Sequence, residues 1–107
     1  MKQIINFRTQ SGSEPFADWL MSINDKVSRA KVRAFIDRVA LGGSRKNVEH
    51  VGDGVFEFKV DFGPGFRIYF GEQGRELIVL LVGGTKRRQQ RDVDLAKEYW
   101  REYHAKT

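Results

Sequence analysis

Residues 77–82 read LIVLLV, six aliphatic side chains in a row. As a helix the run would rise about 9 Å, far short of the ~30 Å hydrocarbon core of a bilayer. As a strand it has no polar side. Successive side chains point to opposite faces, so both faces must be covered. The run therefore predicts a central strand with a packed layer on each side, and the rest of the chain has to supply those layers and the flanking strands.

The segments before it supply strands. VFEFKV (55–60) and FRIYF (66–70) flank the turn DFGPG (61–65), and EQGR (72–75) leads into LIVLLV, which predicts a three-stranded antiparallel meander. KQIINF (2–7) reads as a further strand. TQSGSEP (9–15) breaks it and offers Ser13 or Glu14 as a helix cap. Phe16, Trp19, Leu20 and Ile23 then fall at i, i+3, i+4, i+7, one stripe of a short helix. A second helix starts from Asn24 or Asp25 and runs to about Leu41, with Val32, Phe35, Ile36 and Val39 inward and Lys26, Arg29, Lys31, Arg33 and Arg38 outward. Gly42 and Gly43 end it. SRKNVEH (44–50) reads as a polar loop. GGTKRRQQ (83–90) leads into a last helix with the stripe Leu95, Ala96, Tyr99, Trp100, Tyr103. The order strand, helix, helix, strand, strand, strand, helix predicts an α+β fold with a helical hairpin and a C-terminal helix. At 107 residues, one domain spanning 1–107 is expected.

The hairpin raises a chemical question. If residues 61–65 form the loop, Val60 pairs with Phe66, Lys59 with Arg67 and Glu57 with Tyr69. The aromatic faces match and pack on helices, while Glu57, Lys59, Arg67 and Tyr69 gather on the opposite face. Strict alternation along LIVLLV puts Ile78, Leu80 and Val82 on that same side. Lys59 opposite Arg67 is a like-charge pair, unfavourable for stability alone. Two readings stay open: a solvated sheet face, or two cations converging on a phosphate with Arg67 binding it bidentately. TKRRQQR (85–91) adds Lys86, Arg87, Arg88 and Arg91 at the start of the last helix. Cations at a helix N-terminus have the wrong sign for the helix dipole, unless a phosphate partner is shared. The formal net charge of +5 agrees with a polyanionic partner.

Other chemistries find little support. Cysteine is absent, which excludes disulfide and thiolate chemistry and suits a reducing compartment. His50 and His104 stand alone, and no metal-ligand spacing occurs, so neither metal nor cofactor is expected. GGTK (83–86) lacks the spacing of a phosphate-binding loop, whose first glycine would fall at Ile78. MKQIINFRTQ lacks the apolar core of a signal peptide, so a cytoplasmic protein with no membrane association is expected.

The stretches PFADWL, GDGVFEFKVDFGPGFRIYF, LIVLLVGGTKRRQQRD and AKEYW, in this order, resemble the RelE/ParE superfamily of type II toxin–antitoxin toxins, and within it the HigB-like, phage-Gp49-related branch often called addiction module killer proteins. The resemblance implies a helical hairpin packed on a curved sheet and cleavage of mRNA, commonly on the ribosome. It also implies silencing by a cognate antitoxin, expected to be HigA-like with a helix-turn-helix region. It places catalytic positions on Glu57, Lys59, Arg67 and Lys86, and RNA-binding positions on Tyr69, Arg87 and Gln89; Arg88 and Arg91 of the same basic run are expected to bind RNA beside them. Members that use histidine differ here, because none lies in these segments. A metal-free endoribonuclease needs a base for the 2′-hydroxyl, cations for the phosphorane and an acid for the leaving oxygen. Glu57 or Lys59 is the expected base, Arg67 the phosphate ligand, Lys86 or Arg87 the group at the leaving oxygen, and Tyr69 a stacking platform. A ParE-like inhibitor of DNA gyrase and a plain nucleic-acid-binding module are the alternatives. On this polar face, Arg67→Ala is expected to change stability by no more than about 0.5 kcal/mol.

Overall fold

The computed structural model describes residues 2–105. Strand β5 (Leu77–Thr85) lies between β1 (Gln3–Asn6), which runs parallel to it, and β4 (Phe66–Gln73), which runs antiparallel. Beyond β4 come β3 (Val55–Val60) and β2 (Val48–Gly52), so the five-stranded sheet is ordered β1-β5-β4-β3-β2. Helices α1 (Pro15–Ser22) and α2 (Lys26–Ala40) cover one face. Helix α3 (Gln89–Ala105), entered through a 3-10 turn at Lys86–Arg88, covers the other. The architecture is α+β, with three helices and a mixed sheet. No helix among the described residues is long and apolar enough to cross a membrane.

Strand β2 corrects the expectation of a loop at 44–50. Val48, Glu49 and His50 pair with Phe58, Glu57 and Phe56 of β3. The strand lies at the sheet edge with Glu49 and His50 exposed, so it needs no apolar alternation to pair through its backbone.

The helix ends follow local chemistry. Pro15 occupies the first position of α1, where its missing N–H costs nothing. Neither Ser13 nor Glu14 caps that helix through its side chain: the Ser13 hydroxyl bonds Thr9, and the Glu14 carboxylate takes Arg8 at 3.0 Å. Asp25 does cap α2, accepting from the Val27 N–H at 3.2 Å and the Ser28 hydroxyl at 2.8 Å. The Ser28 bond, with the Val27 bond next, holds its carboxyl below the usual value. At the far end of α2 the Gly42 N–H reaches the Val39 carbonyl and the Gly43 N–H reaches Arg38, with Gly42 at φ +80°. This is the Schellman closure that favours glycine.

The sheet carries a core on each side. Phe16, Leu20, Val32 and Val39 pack on Phe58, Val60, Phe66, Ile68 and Phe70. Val93, Ala96 and Trp100 pack on Val55, Tyr69, Val79, Leu81 and Val82. This second core also corrects the expected facing of β5. Tyr69 pairs with Val82 but Phe70 pairs with Leu80, so Leu81 is the extra residue of a bulge. The bulge resets alternation: Ile78 and Leu80 turn toward α1 and α2, and only Val82 of the three stays on the α3 side.

Two stability predictions arise here. A Cβ built on Gly83 runs into the indole of Trp19. Gly83→Ala is therefore expected to cost about 1–3 kcal/mol, the usual penalty of overpacking, measured by urea denaturation. Glu72 on β4 takes Lys2 at 2.8 Å and Arg45 at 2.7 Å, tying the N-terminus and the loop before β2 to the sheet. Burial works to raise its pKa, but the Lys2 and Arg45 contacts outweigh it, and the net shift is below the ordinary 4.5. A depressed folded pKa gives stability that is present above the unfolded value and lost as pH falls through the folded one. The stability difference between wild type and Glu72→Gln is expected to be largest near neutrality and to shrink as pH drops below 4.5.

Candidate functional site

The hairpin register is the one its five-residue loop dictates: Lys59 faces Arg67, and Glu57 faces Tyr69. The two cations do not confront each other, because each leans on a different carboxylate. Arg67 Nη1 donates to Glu57 Oε1 at 2.7 Å, and Lys59 Nζ pairs with Glu49 Oε2 of β2 at 3.4 Å. The two pairs differ in depth. Glu57 is 0% exposed and the Arg67 side chain 11%, whereas Lys59 and Glu49 stand at 43% and 64%.

Gln89, the first residue of α3, donates its side-chain amide to Glu57 Oε2 at 3.1 Å. Both carboxylate oxygens are thus engaged, as a fully buried charge requires. Tyr69 lies beside them, 0% exposed. Its hydroxyl is close to Glu57 but lacks a partner in hydrogen-bonding geometry. Burial first, and the Glu57 carboxylate second, push its pKa well above the ordinary 10. The face expected to gather these charges does gather them, but Glu57 and Tyr69 are sealed beneath α3 while the Lys59 side chain stays open to solvent. Two expectations meet that fact directly. Tyr69 offers no ring face for a base to stack on, and Glu57 offers no surface to a substrate hydroxyl while α3 is docked.

Asp92 belongs to the same buried layer and was not singled out from the sequence. It is 4% exposed, packs against Gly84, and leaves Oδ2 without a partner. Burial raises its pKa despite the nearby Arg88 and Arg91. Its spacing was a usable signal, since Asp92 stands four residues before Ala96 on the apolar stripe of α3. It also puts an acid in the first turn of that helix, the favourable sign there.

What remains open to solvent is a cleft of about 440 Å³ beside the hairpin turn. Lys59, Arg67 and Lys86 line it, together with Asp61 and the turn residues Phe62–Phe66. The sheet delivers Lys59 and Arg67 side by side, and the 3-10 turn after β5 delivers Lys86, because Arg67 pairs with Gly84 just before that turn. Arg87, Arg88 and Arg91 are exposed around the start of α3 but do not line the cleft. Asp61 is the one carboxylate among the lining residues, and in the sequence it reads as a turn residue only. His50 packs at a tilt against Phe56 and His104 edge-on against Trp100, and neither lines the cleft. Among the described residues no group of three or more His, Cys, Asp or Glu is placed to hold a metal ion. Chemically, three cations and one carboxylate around an open cleft suit a phosphodiester: the cations hold and neutralise it, and the carboxylate can accept a proton.

Comparison with known proteins covers this whole region. Residues 18–101 match the family model described as phage derived protein Gp49-like (DUF891), a family associated with addiction-module toxins. An uncharacterized protein of Haemophilus influenzae Rd is 37% identical over 82 residues, spanning 77% of this chain and 82% of that relative.

Proposed function

The chain belongs to the phage-derived Gp49-like family, and from that premise we propose that it is the toxin of a type II toxin–antitoxin pair, of RelE/ParE type, that cleaves mRNA on the ribosome. The observation that carries this reading is the cleft lined by Lys59, Arg67 and Lys86 together with Asp61.

RNA brings its own nucleophile. Asp61 takes the proton of the 2′-hydroxyl, the 2′-oxygen attacks the adjacent phosphorus, and the bond from phosphorus to the 5′-oxygen breaks. The products are a 2′,3′-cyclic phosphate and a 5′-hydroxyl, whose proton comes from Lys86. Arg67 and Lys59 hold the phosphate and offset the charge that builds on it in the phosphorane. Glu57 acts one step back, as a positioning residue: with Gln89 it fixes the Arg67 guanidinium at the cleft wall.

Induction of this chain alone is expected to arrest bacterial growth, and co-expression of its antitoxin to restore it. Asp61 and Lys86 are both exposed, so Asp61→Asn and Lys86→Ala should leave the melting temperature nearly unchanged. Loss of the proton acceptor is expected to slow cleavage by about 10²–10⁴, the range for general acid–base groups. Asp61→Asn protein that is folded and cleaves at the wild-type rate would remove Asp61 from the mechanism. Full-strength growth with folded, abundant wild-type protein would remove the toxin reading itself.

A further inference from the structure

A second cleft, of about 510 Å³, opens on the other side of the same turn. Phe62, Gly63, Pro64 and Phe66 wall both clefts, so the two are separated only by the hairpin loop. Their chemistry differs. The first is cationic. The second is aromatic, with Trp19 set edge-on to Phe66 at 6.0 Å and Ile23 beside them. Phe62 is half-buried in the shared wall, and the ammonium of Lys31 lies 5.4 Å from its ring centre. Asn24 and Thr85 border this cleft with hydrogen-bonding groups. Asp25 is also there, but its two oxygens are taken by the Val27 N–H and the Ser28 hydroxyl.

Resting on the ribonuclease reading above, we infer that the aromatic cleft seats one unstacked nucleobase of the RNA strand whose phosphate lies in the cationic cleft, with Phe62 as its stacking face. A single strand alternates anionic phosphates with flat, largely apolar bases. The two clefts present the complementary alternation, within one loop of each other. Proteins read single-stranded RNA by splaying bases onto aromatic rings and bonding their edges. Trp19, Phe62 and Phe66 supply the rings, and Asn24 and Thr85 supply groups able to tell one edge from another. Lys31 adds a cation at the ring that would carry the base.

The test is binding without cleavage. A five-nucleotide 2′-O-methyl RNA lacks the nucleophile, and a matched set of strands lacks one base at each position in turn. Affinities are measured by fluorescence anisotropy with wild type, Phe62→Leu and Phe62→Ala. The leucine variant keeps apolar volume in the loop, so it guards against a folding defect, checked by circular dichroism melting. The expected result is a single position at which base removal weakens wild-type binding about tenfold, as for one aromatic stack. That penalty should fall below about twofold in both Phe62 variants, with unchanged affinity for the abasic strand. Strands that bind equally with and without each base would overturn the inference and leave the nuclease reading standing, with the cleft free for a segment of a protein partner. A penalty that persists in folded Phe62 variants would overturn it too. Failure of every strand to bind would overturn this inference and leave the nuclease reading to the ribosome-dependent cleavage assay.

Discussion

Glu57→Ala is expected to lower the unfolding free energy by about 3–5 kcal/mol, the cost of breaking a buried ion pair from one side. Glu57 has no exposed surface, and both of its oxygens are bonded, to Arg67 and to Gln89. Its removal leaves a guanidinium that is 11% exposed without a counter-charge, and an amide without its acceptor. Glu57→Gln keeps the shape but brings a second amide group against two donors, so it should recover little. The double variant Glu57→Leu with Arg67→Met should regain most of the loss, because replacing both partners by apolar groups of similar size removes the desolvation penalty as well. Urea denaturation of the three proteins decides the matter. A loss below about 1 kcal/mol in Glu57→Ala would mean that solvent reaches this pair and that α3 does not seal it.

Arg67→Ala is expected to reduce single-turnover cleavage by about 10²–10³, the usual effect of deleting one preorganised donor to a developing anion. The structure changes what accompanies that loss. On an open polar face the substitution would be nearly neutral for stability, which is what the sequence leads one to expect. In the folded chain it strands a fully buried carboxylate with Gln89 as its remaining donor, and a cost of about 3 kcal/mol is expected instead. Arg67→Lys separates the two effects. It keeps a cation beside Glu57, so most of the stability should survive, but it loses the planar fork, and cleavage should fall by at least about tenfold. Folded Arg67→Lys protein that cleaves as fast as wild type would show that Arg67 serves the fold alone.

The hairpin was legible because two period-2 patterns and a five-residue loop leave one register, and Lys59 opposite Arg67 follows from it. The central place of β5 was legible because a strand without a polar side must be covered twice. The bulge at Leu81 was not: in a run of six interchangeable aliphatics nothing marks the residue that breaks alternation. Strand β2 was hidden because an edge strand pairs through its backbone and leaves little trace in side chains such as Glu49 and His50. The burial of Glu57 and Tyr69 depends on how α3 lies across the sheet, a tertiary fact that neither segment encodes by itself. Of the candidate residues, the structure brings Lys59, Arg67 and Lys86 to one cleft and sets Glu57 and Gln89 behind them. Arg87, Arg88 and Arg91 stay outside it. Asp61 carries no signal of its own in the sequence, because a turn that begins with aspartate needs no further explanation.

Transesterification in the cationic cleft leaves a distinct pair of RNA ends at each cut. The most direct measurement is incubation of the purified chain with translating ribosomes and a defined mRNA, followed by mapping of both ends at each cut. The expected cuts bear 2′,3′-cyclic or 3′-phosphate on one side and 5′-hydroxyl on the other, and Asp61→Asn should slow them by about 10²–10⁴. Products carrying 5′-phosphate and 3′-hydroxyl would contradict the mechanism, and intact mRNA alongside damaged supercoiled DNA would contradict the function.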